Sequence, residues 1–217
     1  MKDYIFFDLD GTLTDSQEGI INSFKLVLSH FKISKTEKEL RSFIGPSLQD
    51  TFQKSLGFNQ EDCKTAIRIF REYFSKKGLF ENKVYEGIPN LLEEIKKSGR
   101  HSVIATSKPE KFAKQIVEYF GLKDFFERVC GSRTDETRTD KAEVIAYAKK
   151  CCHLKTEDSS RILMVGDRQN DVIGAHKNGI QVVAVLYGYG SRSEVENAGA
   201  DFIADSVQTL KDYILKS

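Results

Sequence analysis

Short apolar runs recur along this chain, separated by helix-patterned segments, and that alternation restricts the fold more than any other feature. Runs at 4–7, 102–105, 162–165 and 182–186 have the length and the β-branched or aromatic content of buried strands. Residues 128–130 and 202–204 are weaker examples. Between the runs lie apolar stripes spaced by three and four. Leu91, Leu92 and Ile95 begin one; Phe112, Ile116, Val117 and Phe120 form a second; Val144, Ile145, Ala148 and Cys152 form a third. Gly121 ends the second stripe. Ser107 with Glu110 reads as a capping box at its start, with Pro109 in the first turn. Strands alternating with helices predict an α/β fold: a parallel sheet covered on both faces.

One stretch departs from this pattern. Residues 16–83 contain no convincing strand and read as helices at about 17–31, 37–43, 48–56 and 61–77. Ile20, Ile21, Phe24, Val27, Leu28 and Phe31 mark the inner face of the first. Asp15 and Glu18 are candidates to cap its start, and Gly57 and Gly78 are candidate stops. The expected organisation is a discontinuous α/β core, 1–15 with 84–217, carrying a small all-helical insert at 16–83. A chain of 217 residues suits a domain with such an insert.

Composition removes several function classes. The formal net charge is +1, from 33 basic and 32 acidic residues, so no extended nucleic-acid footprint or basic membrane face is expected. No segment approaches the roughly 18 apolar residues that span a bilayer. Residues 4–7 meet Asp8 at once, which is unlike a secretory signal. Cys63, Cys130, Cys151 and Cys152 hold no C-x-x-C pair, so they read as buried thiols in a cytoplasmic protein. His30, His101, His153 and His176 are scattered without metal-ligand spacing.

Four segments carry chemistry. In Phe6-Phe7-Asp8-Leu9-Asp10-Gly11-Thr12-Leu13, an apolar strand ends in two carboxylates two residues apart. At the carboxyl end of a parallel strand such a pair suits displacement, one group attacking and the other handling the proton. Acidic residues beside glycine also make ordinary turns. In Met164-Val165-Gly166-Asp167-Arg168-Gln169-Asn170-Asp171, a strand ends in two acids four apart, hard oxygen donors that suit Mg²⁺, or else a capped strand-to-helix turn. In Ala105-Thr106-Ser107-Lys108-Pro109, a strand-end hydroxyl can bind a phosphoryl oxygen or cap a helix. Lys141 opens the Val144/Ile145 helix and can hold charge beside a transferring phosphate, or lie on the surface. The carboxyl ends of a parallel sheet share one edge, so these distant segments can converge.

In order and placement the four segments resemble the motifs of the haloacid dehalogenase superfamily of phosphohydrolases, and the likeness spans essentially the whole chain. The resemblance implies a Rossmann-like core with a helical cap after the first motif. It implies Asp8 as nucleophile, Asp10 as general acid and then base, Thr106 on the phosphoryl group and Lys141 as its charge partner. It assigns Mg²⁺ to Asp8, the Asp10 carbonyl and Asp167, with Asp171 as ligand or support. Gly11 and Ser107 would line the phosphate site, and Gly45, Pro46 and Ser47 of the cap would form a specificity loop, where a plain interhelical turn is the other reading.

Within the superfamily, Asp10-Gly11-Thr12-Leu13, Phe43-Ile44-Gly45-Pro46-Ser47-Leu48, Val84-Tyr85-Glu86-Gly87-Ile88, Thr106-Ser107-Lys108-Pro109 and Leu186-Tyr187-Gly188-Tyr189-Gly190 look like the phosphoglycolate-phosphatase subgroup. The expected substrate is a small phosphorylated metabolite, not a nucleic-acid polymer or a membrane, acted on by a monomer or homodimer. Similar proteins act on 5′-nucleotides, which stands as the alternative. A β-phosphoglucomutase-like phosphomutase is disfavoured by Thr12 and Leu13, and a non-catalytic binding protein by the intact motif residues. A dehalogenase has no use for the acid–base Asp10, and a phosphonatase needs a cap lysine in a context this chain lacks.

Overall fold

The structure, a computed structural model, describes residues 2–135 and 137–216. The chain forms two compact units, Met1–Thr14 with Val84–Ser217 and Asp15–Lys83. The strands are β1 (Tyr4–Phe7), β2 (Thr14–Asp15), β3 (Lys83–Val84), β4 (His101–Pro109), β5 (Phe126–Ser132), β6 (Ile162–Gly166), β7 (Gln181–Val185) and β8 (Phe202–Ala204). β2 and β3 pair with each other; the remaining six form one sheet in the order β5-β4-β1-β6-β7-β8. Every pairing in that sheet is parallel.

The sheet unit carries helices α5 (Ile88–Lys97), α6 (Glu110–Tyr119), α7 (Lys141–Cys151), α8 (Gln169–Lys177), α9 (Arg192–Asn197) and α10 (Val207–Lys216), numbered after the four helices of the other unit. Strand alternation sorts the core. Phe6, Val103, Ala105, Met164, Val182 and Ala184 pack with Val144, Ile145 and Ala148 of α7 and Val172 and Ala175 of α8. Their strand neighbours Ile5, Phe7, Ile104, Leu163, Val165 and Val183 are equally buried and point the opposite way. There α5 lies against β4 and α10, and α10 against β7 and β8. The chain is thus an α/β protein with a parallel sheet. The edge strand β5 is longer than its weak signal at 128–130 indicated.

The helical unit contains α1 (Gln17–His30), α2 (Glu37–Ser42), α3 (Leu48–Asp50) and α4 (Gln60–Tyr73). Wide π turns extend α3 through Thr51–Ser55 and α4 through Phe74–Gly78. Its core is aromatic: Phe24 meets Phe43, Phe52 and Phe70 edge-on at centroid distances of 5.2, 5.7 and 4.9 Å. Packing of this kind accounts for much of the phenylalanine content. Gly19 of α1 lies so close to Gly78 that a Cβ at 19 would strike the Gly78 carbonyl.

Of the two expected caps, the one at α6 is absent and the one at α1 is made by Asp15. β4 continues to Pro109 and α6 begins at Glu110, with no side-chain cap from Ser107. Pairing with β5 continues through Pro109, and the position before a proline favours the extended form that Lys108 adopts here. At α1 the N-cap is Ser16, without a side-chain capping bond, and Asp15 accepts from the Gln17 N–H, the first of the helix, at 3.2 Å.

Candidate active site

β1 occupies the point where strand order changes direction, flanked by β4 and β6. Open α/β sheets bind ligands in the crevice at that point, beyond the carboxyl ends of the strands. Asp8 follows β1, and its N–H donates to the Val165 carbonyl at 2.9 Å. Phe7 aligns with Ile104 and Val165, so Thr106 and Asp167 emerge on the same edge, each two residues past the aligned position. After Asp8 the chain turns tightly: Leu13 and Thr14 N–H groups both donate to the Leu9 carbonyl, at 2.9 and 3.0 Å. Gly11 adopts φ of 85°, and a Cβ there would strike the Asp167 carboxylate. The glycine of D-x-D-G is therefore required twice, by conformation and by close approach.

Asp8, Asp167 and Asp171 each place a carboxylate oxygen within 4.8 Å of the others. Asp167 and Asp171 are buried and Asp8 nearly so. Lys141, also buried, reaches Asp8 Oδ1 at 2.9 Å and Asp171 Oδ1 at 2.7 Å. Its Nζ donates to the Ala105 carbonyl at 3.2 Å. Lys141 starts α7 behind Asp140, whose carboxylate accepts from the Ala142 N–H and fixes the helix start. Asp171 takes the capping role open to it in the sequence. Its Oδ2 caps α8 by accepting from the Asp167 and Arg168 N–H groups, at 3.1 and 3.0 Å, while Oδ1 faces Lys141.

This charge balance is incomplete. Three carboxylates share one ammonium. Burial, followed by the charges of Asp171 and Asp8, pushes the Asp167 carboxyl up to about 8. Burial also raises Asp171, against the opposing pull of Lys141. Burial alone would lower the Lys141 ammonium, but Asp171 and Asp8 outweigh it and the net shift is upward. Asp8 Oδ1 and Asp171 Oδ1 are buried and receive no directed hydrogen bond. Lys141 is their one charged partner, by ion pairs of 2.9 and 2.7 Å. Under-coordinated hard oxygens carrying excess negative charge fit a divalent cation. Among the described residues no other group of His, Cys, Asp or Glu side chains converges in this way.

Thr106 is buried and its Oγ1 accepts from the Lys108 N–H at 3.3 Å; Ser107 is half-buried beside it. The Asp10 carboxylate sits apart from the three-carboxylate cluster, against Lys108. Its expected metal contact is through the main-chain carbonyl. Gly45, Pro46 and Ser47 lie in the helical unit, where Gly45 has φ of 112° and Ser47 caps α3 by accepting from the Asp50 N–H at 3.0 Å. The turn reading of that segment therefore has direct support.

Several contributors were not assigned from the sequence. Thr12 Oγ1 donates to Asp167 Oδ1 at 3.1 Å, and the Tyr189 N–H donates to Asp167 Oδ2 at 2.8 Å. Tyr187 OH donates to the Thr12 carbonyl at 3.1 Å. Gly188 and Gly190 lie so near Asp167 that neither could carry a Cβ in place. From the sequence, Tyr-Gly-Tyr-Gly after a strand end reads as a loop near the site or a surface turn, and the Tyr187 and Tyr189 contacts agree with the first. Lys108 had a signal too, two residues beyond Thr106 and just before Pro109.

Comparisons with known proteins identify the family. Residues 5–185 match the family described as haloacid dehalogenase-like hydrolase. A protein of Pseudomonas aeruginosa named 5′-nucleotidase is 41% identical over 88% of this chain and 86% of its own length. Tyrosine-protein kinase PtkA of Mycobacterium tuberculosis is 37% identical over 95% of this chain and 67% of its own. Phosphoglycolate phosphatase of Vibrio cholerae is 27% identical over 98% and 97%. Among solved structures, a predicted phosphatase from Clostridium acetobutylicum superposes with a TM-score of 0.94 at 45% identity, covering both chains completely. With the family match over most of its length and these likenesses end to end, the chain belongs to the haloacid dehalogenase-like hydrolases.

Proposed function

We propose that this hydrolase is a phosphatase that removes phosphate from small monoesters through an aspartyl-phosphate on Asp8, with Mg²⁺ held by Asp8, the Asp10 carbonyl, Asp167 and Asp171. The observation that carries this reading is the buried convergence of three carboxylates beside Lys141 at the switch point of the sheet. When bound, the cation supplies the positive charge that lets an anionic nucleophile approach a phosphate dianion. The chain supplies the remainder. Asp8 attacks phosphorus. Thr106 and Lys141 hold the phosphoryl oxygens, and the Gly11 and Ser107 segments line the phosphate site. Asp10 delivers a proton to the leaving oxygen and later takes one from the hydrolytic water. The unit at 15–83 acts as the cap, and its Gly45–Pro46–Ser47 turn reads the leaving group.

Phosphoglycolate, first in the sequence resemblance, is the substrate of a relative only 27% identical. The relative named 5′-nucleotidase is 41% identical, so we place nucleoside 5′-monophosphates first among substrates. A panel of nucleoside 5′-monophosphates, phosphoglycolate, sugar phosphates and pyrophosphate, compared by kcat/KM with Mg²⁺, tests this. A clear preference for phosphoglycolate would reverse the order, and no turnover across the panel would reject the phosphatase reading. Transfer to a tyrosine hydroxyl, the activity in PtkA's name, would appear as phosphate retained on the acceptor once a tyrosine-containing peptide is added to the panel. A phosphomutase would appear as a sugar-phosphate product without free phosphate.

The raised Asp167 carboxyl sets an expected pH dependence. Below the ordinary carboxylate range, both folded and unfolded chains hold this proton. Between that range and about pH 8 only the folded chain holds it, so metal-free stability falls as pH rises through this window. A cation must displace the proton, so Mg²⁺ affinity should climb up to about tenfold per pH unit between pH 6 and 8 and then level off. Titration calorimetry at pH 6, 7, 8 and 9 measures this, and affinity independent of pH would contradict it.

A further inference from the structure

We propose that Lys108 is the positioning residue for Asp10, the group through which protons pass in the reaction; this deepens the phosphatase reading and rests on it. Lys108 Nζ donates to both Asp10 oxygens, at 3.0 and 2.7 Å. The two side chains retain only 6% and 19% of their exposure, so the pair is largely shielded from water. A charge-assisted, two-point contact of this length fixes direction as well as distance.

The backbone is built to present this lysine. Lys108 lies where the pairing of β4 with β5 shifts register, between Thr106 and Pro109. Lys108 is extended within β4, as the position before Pro109 favours, and its N–H is tied to Thr106 Oγ1 at 3.3 Å. Across from it, Gly131 of β5 lets the strand come close: a Cβ at 131 would lie 2.5 Å from the Lys108 carbonyl oxygen and 2.7 Å from the Glu110 nitrogen. One short segment therefore sets both Thr106, proposed to hold phosphate, and the partner of the proton-handling carboxyl.

The chemistry explains why that carboxyl needs a fixed partner. In the first step the Asp8–phosphorus bond forms as the bond from phosphorus to the leaving oxygen breaks. The proton on Asp10 moves to that oxygen and leaves a carboxylate facing the Lys108 ammonium. In the second step a water oxygen bonds to phosphorus, the Asp8–phosphorus bond breaks, and the water proton moves to Asp10. Lys108 exchanges no proton. It determines where the two Asp10 oxygens point in both steps.

The test is a double-mutant cycle on the Mg²⁺-loaded enzyme with Lys108→Met, Lys108→Gln, Lys108→Arg, Asp10→Asn and the Lys108→Met/Asp10→Asn pair, each checked for folding by thermal melting. p-Nitrophenyl phosphate needs little acid help to expel its leaving group, so its first turnover reports Asp8 phosphorylation. An alkyl phosphate needs help in both steps. Lys108→Met is expected to lower kcat for the alkyl ester by about 10²-fold, the scale of a misplaced catalytic group. First-turnover release of p-nitrophenol should stay within about fivefold of wild type, and Lys108→Arg should recover most of the loss because it can also fork a carboxylate. In the Asp10→Asn background, Lys108→Met should change the rate by less than about twofold, the signature of acting through Asp10. Full additivity in the cycle, wild-type rates in Lys108→Met, or equal loss for both esters would each overturn the proposal. If Lys108→Met does not fold, Lys108→Gln takes its place in the cycle. Asp8→Asn, run in parallel, addresses the phosphatase reading separately, because retained turnover there rejects that reading whatever Lys108 does.

Discussion

Asp8→Asn is expected to lower turnover of p-nitrophenyl phosphate by at least about 10³-fold, the scale seen when a covalent nucleophile is removed. Asparagine preserves the shape of the side chain and removes the attacking oxygen's charge. The stability effect should run the other way. Asp8 is one of three carboxylates packed within 4.8 Å around one ammonium, so removing it relieves like-charge repulsion in the metal-free site. Lys141 keeps its contact with Asp171 at 2.7 Å and is not left unpaired. The metal-free variant should therefore melt no lower than the wild type, while its affinity for Mg²⁺ falls. An inactive protein of undiminished thermal stability would show that Asp8 is kept for chemistry at the expense of stability. Turnover within about tenfold of wild type would remove Asp8 as nucleophile, and a large drop in melting temperature would contradict the repulsion argument.

The parts of this molecule legible in its sequence are those with one local cause. A buried parallel strand needs a short apolar run, so β1, β6 and β7 were readable from Ile5, Phe6 and Phe7, from Leu163 to Val165, and from Val182 to Val185. β5 was faint because it lies at the sheet edge, where Glu127 and Arg128 are exposed and interrupt the pattern. The start of α6 departs from the cap suggested by the Ser107–Glu110 spacing because β4 stays paired with β5 through Pro109, a long-range contact that the local spacing does not encode, and Pro109 adds a bias toward the extended form at Lys108. Site residues fared differently. Asp8, Asp167, Asp171 and Lys141 are visible by chemical type at strand or helix ends. Whether they meet depends on strand order, which no single segment encodes. Thr12, Tyr187 and Lys108 are less visible still, because their contacts run to residues 98 to 175 positions away.

Lys141→Met should have two effects of different origin. Turnover should fall by about 10²- to 10³-fold, the usual cost of losing one preorganised charge at a transferring phosphoryl group. The metal-free fold should also weaken. Methionine roughly matches the lysine stem but leaves Asp8, Asp167 and Asp171 in a buried site with no ammonium between them. Removing one partner of a buried ionic cluster costs about 3–5 kcal/mol. For a chain of this size that lowers the melting temperature by roughly 6–20 °C. Asp167 and Asp171, both already raised by burial, can escape part of this cost by holding protons, so the deficit should be small near pH 5 and grow toward pH 8, as the folded state is forced to give those protons up. Mg²⁺ offers another escape, since it replaces the missing positive charge and should restore much of the melting temperature. It should not restore turnover, because Lys141 is proposed to act on the phosphoryl oxygens as well as on the resting carboxylates. Melting curves at pH 5 and 8, with and without Mg²⁺, alongside activity, separate these effects. A deficit independent of pH and unaltered by Mg²⁺ would mean that Lys141 stabilises the fold by packing alone, and turnover fully recovered by excess Mg²⁺ would assign its charge to the resting site and not to the reaction.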